Sequence, residues 1–162
     1  MLIRSVSTKD VPSLTDIYNS YIENTIITFE EDPITSDEMA ARIDKVSQAH
    51  LPWLVLEEDG DVLGYAYTGN WHGRSAYRFT AEPTIYLAQV AKGKGQGKIL
   101  YSSLIEELRK KGIKQLIGLI ALPNGASVGL HESLGFKKAG EFKDVGFKFD
   151  QWISVGYWQL TL

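Results

Sequence analysis

Three glycines at alternate positions, Gly93, Gly95 and Gly97, are interleaved with Lys92, Lys94, Gln96 and Lys98. The loop they form follows the apolar stretch Thr84-Ile85-Tyr86-Leu87 and runs into the amphipathic pattern Ile99, Leu100, Leu104, Ile105. Glycine lacks the Cβ atom that keeps an anion off the backbone, and it permits the φ > 0 turns from which convergent amides are built. Where such a loop opens a helix, the free N–H groups of the first turn are aimed into it. Residues of these types in this order bind phosphate, and the lysines add positive charge around the anion. The spacing Gly-x-Gly-x-Gly-Lys-Ile fits neither the dinucleotide fingerprint nor the Walker loop. The plain alternative for the loop alone is a flexible, lysine-rich solvent turn.

The elements that hold this loop follow from periodicity. Leu2 to Val6 alternates as a strand, and Thr8-Lys9-Asp10 offers N-cap candidates for a helix with Val11, Leu14, Ile17, Tyr18 and Tyr21 on one face. Thr35 and Glu38 have capping-box spacing and introduce a second helix through Met39, Ile43 and Val46. Trp53–Glu57 and Val62–Thr68 read as a hairpin around Asp59-Gly60. A polar, aromatic-rich loop from Gly69 to Tyr77 leads to a strand at Thr80–Ala88, and after the glycine loop a helix runs through Lys111 and stops at Gly112. Gln115–Leu122 is the next strand, and a short helix spans Ala126–Leu134 after Pro123-Asn124-Gly125. Strands near Phe136–Phe142 and Trp152–Leu160 complete the order βααβββαβαββ. The crossover between the strands at 80–88 and 115–122 demands a parallel pair and the hairpins demand antiparallel ones. The expected fold class is therefore α/β (α+β), a mixed, mostly antiparallel sheet flanked by helices.

With 162 residues, 44% of them apolar, the chain fills one core and is too short for two ordinary domains, so a single domain over 1–162 is expected. A net charge of −3 provides no global basic field for nucleic acid, which leaves a small anionic ligand as the partner of the glycine loop. The absence of cysteine excludes disulfides, thiolate catalysis and thiolate metal sites. No metal site is expected, since neither an i, i+4 histidine pair nor a dense carboxylate cluster occurs. The first residues, Met1-Leu2-Ile3-Arg4-Ser5-Val6, do not read as a targeting signal and no run is long enough to span a bilayer. A soluble cytoplasmic protein with no membrane partner is the expectation.

The order of elements, with a phosphate-cradling loop after the fourth strand, resembles the GNAT N-acetyltransferase superfamily. Its core motif, Gln or Arg followed by x-x-Gly-x-Gly/Ala, is matched at Gly95 and Gly97, with Lys92 at the position where Gln or Arg is usual. A second family segment resembles Asn124 through Gly135-Phe136, with His131 in the region where many members place a tyrosine. Ala81-Glu82-Pro83-Thr84-Ile85-Tyr86-Leu87, Leu122-Pro123-Asn124, Leu130-His131-Glu132-Ser133 and the terminal Gly156-Tyr157-Trp158-Gln159-Leu160 resemble the phosphinothricin and methionine sulfone N-acetyltransferase subgroup, as does Ile17-Tyr18-Asn19. The likeness covers almost the whole chain.

This resemblance implies acetyl-CoA as co-substrate, its pyrophosphate on Gly93, Lys94, Gly95, Gln96, Gly97 and Lys98. It implies backbone pairing of Ile85, Tyr86 and Leu87 with the pantetheine arm, the Leu87 N–H polarising the thioester carbonyl, and contacts from Asn124 and Ser133. Acetyl transfer to an amine needs a neutral amine, a stabilised oxyanion and a proton for the departing thiolate. Amines with pKa values of about 8 (α-amine) to about 10 (lysine) are mostly protonated at neutral pH, so a base must act first. The resemblance implies that Glu82 is that base. His131 shares a helical face with Leu130 and Leu134, one turn after Ser127, and is assigned substrate contact or proton donation to the sulfur; a satisfied core histidine is the alternative.

For the acceptor, His72, Gly73, Arg74 and Arg78 lie in a loop of cations and aromatics just before Glu82, and either arginine suits a carboxylate or phosphinate. Phe29 closes the pocket and Thr84 completes it. The expected reaction is direct attack by the α-amine of a small amino-acid analogue in a ternary complex. The alternatives are an acetyltransferase for a polyamine, amino sugar or protein N-terminus, favoured by the acidic Glu30-Glu31-Asp32, or a non-catalytic CoA sensor. The resemblance also implies a homodimer.

Overall fold

The computed structural model describes residues 1–162. The strands are β1 (Leu2–Ser5), β2 (Trp53–Glu58), β3 (Asp61–Asn70), β4 (Thr80–Leu87), β5 (Gln115–Leu122), β6 (Lys137–Lys148) and β7 (Gln151–Thr161). The helices are α1 (Val11–Asn24), α2 (Ser36–Gln48), α3 (Gln96–Lys110) and α4 (Gly125–Ser133). The order is the one read from the sequence. All strands join one seven-stranded sheet in the order β1-β2-β3-β4-β5-β7-β6, in which β4–β5 is the parallel pair.

Strand alternation splits the apolar side chains between the two faces. On one face α1 and α2 cover a core that includes Leu14, Ile22, Met39, Val55, Tyr65 and Tyr86; on the other, α3 and α4 cover Leu56, Ala66, Leu100, Leu104, Leu116 and Phe136. The expected capping box is present: Glu38 N–H donates to Thr35 Oγ1 at 3.2 Å, and Thr35 N–H to Glu38 Oε2 at 2.7 Å. No helix is long and apolar enough to cross a membrane.

Two expectations need correction. Asp10 stands at the N-cap position of α1 but its side chain makes no cap bond there; Thr8–Asp10 form a short 3-10 turn, and the Asp10 carboxylate accepts instead from the Ser7 N–H and hydroxyl. Asp10, 2% exposed, accepts from Arg4 at 2.7 Å, and Arg4 also reaches Glu57. The strand expected to end at Phe142 continues to Lys148, and β6 and β7 form a long hairpin with register shifts between Phe142 and Gly146. Those shifts break the alternation by which a continuous strand is recognised.

The feature that matters most for function is a missing ladder. β4 and β5 register only at Thr80 opposite Gln115 and Ala81 opposite Leu116, although each strand runs on well beyond. Past those pairs the sheet is split.

Candidate active site

Past the end of β4, the backbone turns through Gly93 at φ 74° and Gly95 at φ 77°, both in the left-handed region, with Gly95 as N-cap of α3. The backbone N–H groups of residues 93–97 donate to no protein acceptor. No acidic side chain occupies the first turn of α3, and Lys92, Lys94 and Lys98 are exposed around it. Free amides at a helix N-terminus form an anion site, and the residues present fit a diphosphate. Gln96 adds a buried Oε1 with no partner. Gly97 differs from the expectation. It is helical, and a Cβ there would stand 3.1 Å from Leu87 Cδ1, so its smallness lets α3 approach β4. Lys92 lies with Nζ 4.5 Å from the centre of the Tyr21 ring, a cation–π contact.

Where β4 and β5 part, a cavity of about 60 Å³ opens, lined from β4 by Glu82, Thr84 and Ile85 and from β5 by Leu119, Ile120 and Ala121, with Ile27 and Asn124 at its edges. The backbone of β4 presents alternate groups to it. Ala88 N–H donates to Leu63 on β3, so strand alternation turns the Tyr86 amide to β3 and the Ile85 and Leu87 amides to the opening. The Leu87 N–H is already engaged: it donates to the Tyr21 hydroxyl at 3.3 Å, and that hydroxyl donates to the Leu87 carbonyl at 2.8 Å. Of the backbone groups expected on the pantetheine arm, Ile85 is thus available, Leu87 is shared with Tyr21, and Tyr86 belongs to the β3 ladder.

Glu82 lines the cavity without any salt bridge or hydrogen-bond partner, and burial raises its carboxyl pKa above the ordinary range. An unpaired carboxylate in a low-dielectric cleft is suited to accept a proton.

His131 also lines the cavity, but its ring is 4% exposed. Its Nδ1 lies 2.8 Å from the Ser127 carbonyl, which can only accept, so Nδ1 carries the hydrogen. Burial lowers its pKa, and the neutral ring accepts the Tyr101 O–H at Nε2 across 3.0 Å. Both ring nitrogens are thus engaged within the protein, the arrangement of a satisfied core histidine, and neither presents a free proton to the cleft. Gly118 on β5 makes the room: a Cβ there would lie 2.6 Å from Nε2.

The remaining candidates divide. Thr84 is in the cavity wall; Asn124 caps α4, its Oδ1 accepting from Ser127 N–H at 3.1 Å. Ser133 is exposed and donates back to the Leu130 carbonyl at 2.8 Å. His72, Gly73, Arg74 and Arg78 are exposed and do not line the cavity. Arg78 folds onto its own turn, donating to the Ser75 carbonyl at 3.0 Å with its guanidinium over the Phe79 ring. Phe29 rests against β6, where a Cβ on Gly146 would stand 2.5 Å from its ring.

Sequence reasoning missed Tyr21, Tyr101 and Ile27. Tyr21 and Tyr101 sit at apolar helix positions where the pattern shows only core. Ile27 stands in a loop with no periodicity at all.

The acetyltransferase (GNAT) domain family matches residues 3–155. The chain is similar to a phosphinothricin N-acetyltransferase of Alcaligenes faecalis, 44% identical over 161 residues, 99% of this chain and 82% of the relative. It is also similar to an L-methionine sulfoximine/L-methionine sulfone acetyltransferase of Pseudomonas paraeruginosa, 35% identical over 161 residues, 99% of this chain and 94% of the relative. Among solved structures, a GNAT superfamily phosphinothricin acetyltransferase from Sinorhizobium meliloti in complex with AcCoA superposes with a TM-score of 0.96 at 38% identity, over 99% of this chain and 88% of that one. With the family matching residues 3–155 and the fold superposing over 99% of the chain, the chain belongs to the GNAT acetyltransferase family.

Proposed function

We propose that this protein transfers acetyl from acetyl-CoA to the α-amine of a small amino-acid analogue of the phosphinothricin, methionine sulfone or methionine sulfoximine type. One observation carries the reading: the partnerless Glu82 carboxyl stands in a cleft between diverging strands, while the unpaired amides of residues 93–97 mark an anion site past the end of the same strand. The relatives named for phosphinothricin and methionine sulfoximine supply the substrate class, and the neighbour holding AcCoA supports the co-substrate.

In this reading the amides at 93–97 hold the diphosphate, and the arm lies along β4 against the Ile85 amide. Glu82 takes a proton from the acceptor ammonium, directly or through one water. The freed amine nitrogen attacks the thioester carbonyl carbon, the C–S bond breaks, and the thiolate takes up a proton released from the acylated nitrogen. The Leu87 amide, with Tyr21 yielding its place, stabilises the oxyanion. His131 is a positioning residue that holds the Tyr101 hydroxyl at the cleft wall. Phe29, Thr84 and the loop bearing His72, Gly73, Arg74 and Arg78 contact the acceptor, the arginines turning inward when a carboxylate arrives. A homodimer fits the exposed Phe142, Val145, Phe147, Phe149 and Trp152 on the β6–β7 hairpin, an apolar face of the kind that packs against a partner. Sedimentation at micromolar concentration checks it.

The decisive experiment measures thiol release from acetyl-CoA with methionine sulfone, methionine sulfoximine, phosphinothricin, spermidine and glucosamine. Turnover confined to the amino-acid analogues is expected. Turnover of spermidine or glucosamine alone would replace the substrate class, and acetyl-CoA binding without thiol release on any amine would make the protein a sensor.

A further inference from the structure

Lys148, near the end of β6, has a side chain 2% exposed, an uncommon place for an ammonium. No carboxylate pairs with it within salt-bridge distance. Its Nζ donates instead to the carbonyls of Ile22 at 2.7 Å and Thr28 at 2.8 Å. Ile22 lies in the last turn of α1, where carbonyls have no helical partner and the helix dipole favours a cation. Lys148 therefore caps α1 from another element. Its second bond fixes the loop between α1 and α2.

From Thr28 the polar contacts continue inward. Thr28 Oγ1 lies 2.9 Å from the Tyr18 hydroxyl, Tyr18 also donates to Glu30, and Glu30 accepts from Arg42 of α2 at 2.8 Å. The loop is pinned at residues 28 and 30. Between the pins and just before them stand Phe29, packed on Gly146 of the same hairpin, and Ile27, which lines the cavity with Glu82 and Thr84. Burying an ammonium is costly unless each of its bonds is made, so this arrangement is a poor choice for stability alone and a good one for fixing a loop.

We propose that Lys148 is a positioning residue for the acceptor: by tying the hairpin to the α1–α2 loop, it sets Ile27 in the cleft wall against which the acceptor amine meets Glu82, with Phe29 anchored beside it on the hairpin. The inference rests on the acetyl-transfer reading of the cleft. It separates the two substrates, because the diphosphate site lies on α3 and none of these bonds reaches it.

Lys148→Met keeps the apolar stem and removes the donor. Tyr18→Phe keeps the ring and removes the hydroxyl that joins Thr28 to Glu30, and it carries the test if the first variant fails to fold. Two measurements are made on each: amide hydrogen exchange across residues 25–35, and steady-state kinetics with methionine sulfone and acetyl-CoA. Exchange in 25–35 should quicken and KM for the acceptor should rise about tenfold, the scale of one charge-assisted hydrogen bond. KM for acetyl-CoA should stay within about twofold, since no charge-assisted bond to that substrate is removed. Unchanged exchange at 25–35, or a parallel rise in both KM values, would overturn the role of Lys148. Failure of the wild-type chain to turn over any amine would count against the acetyl-transfer reading instead, leaving the exchange measurement to judge the link between Lys148 and the loop.

Discussion

Glu82, half-buried, and His131, fully buried, line the same cleft, with opposite consequences. Burial disfavours the charged form of each, which raises the Glu82 pKa and lowers that of His131. Glu82 has no partner to offset the shift, which favours proton uptake by its carboxylate; His131 is bonded at both nitrogens, which favours the neutral ring. The rate with acceptor, as kcat/KM, should therefore climb with pH through a group titrating above the ordinary carboxylate value of about 4.3. Glu82→Gln should erase that limb and lower kcat by about 10²–10⁴, while calorimetry shows acetyl-CoA affinity unchanged. A variant that retains the limb would assign the base elsewhere. The family resemblance pointed to Glu82, whereas its place in a cleft depends on β4 parting from β5, which no local pattern encodes. For His131 the sequence left a functional and a core reading side by side, since its enclosure depends on Gly118 of a strand that meets α4 only in the folded protein.

At the scale of elements, local devices were legible and long-range ones were not. The Thr35–Glu38 box and the glycine loop are each written within a few residues: the box is found as expected, and the loop has its φ > 0 turns at Gly93 and Gly95 while Gly97 is helical. The splitting of β4 from β5 and the full length of the β6–β7 hairpin depend on pairing between distant segments and on register shifts, which no single segment encodes. The glycine loop yields a discriminating comparison. Gly95 is left-handed, so Gly95→Ala strains the N-cap of α3 by about 1–2 kcal/mol and turns its amides. Melting should fall by roughly 2–8 °C, about 2–4 °C for each kcal/mol, and acetyl-CoA binding should weaken about tenfold, while acceptor KM is unaffected. Gly97→Ala crowds the flexible end of Leu87 at 3.1 Å, meets Leu130 and Ile85 at ordinary contact distance, and should disturb packing more than binding. Equal loss of binding in both variants would mean that helix packing, and not the amide nest, grips the co-substrate.

Across the whole molecule, one ion cluster ties the first strand to its surroundings. Arg4 of β1 holds both Asp10 and Glu57 of β2, and the Asp10 carboxyl is pulled down to about 2, chiefly by its bonds from Arg4. Because the folded pKa lies below the unfolded value of about 3.9, the stabilisation is fully present above pH 4 and is lost as pH falls through 2. It amounts to about 2 kcal/mol near neutrality. Asp10→Asn should remove that amount at pH 7 in urea unfolding, and the gap from wild type should close between about pH 4 and 2. A gap that persists at pH 2 would show that the cluster acts through packing and not through charge.

The parting of β4 from β5 has a mechanical meaning. A sheet with a notch cut into it has two flanks that can hinge about the surviving rungs at Thr80 and Ala81. Under the proposed function an extended thioester chain seated in the notch would span it as a brace, and hydrogen exchange along β4 and β5 should slow when acetyl-CoA is bound and quicken once the spent thiol departs. Cargo and keystone are then the same object, and the turnover cycle is also a cycle of rigidity.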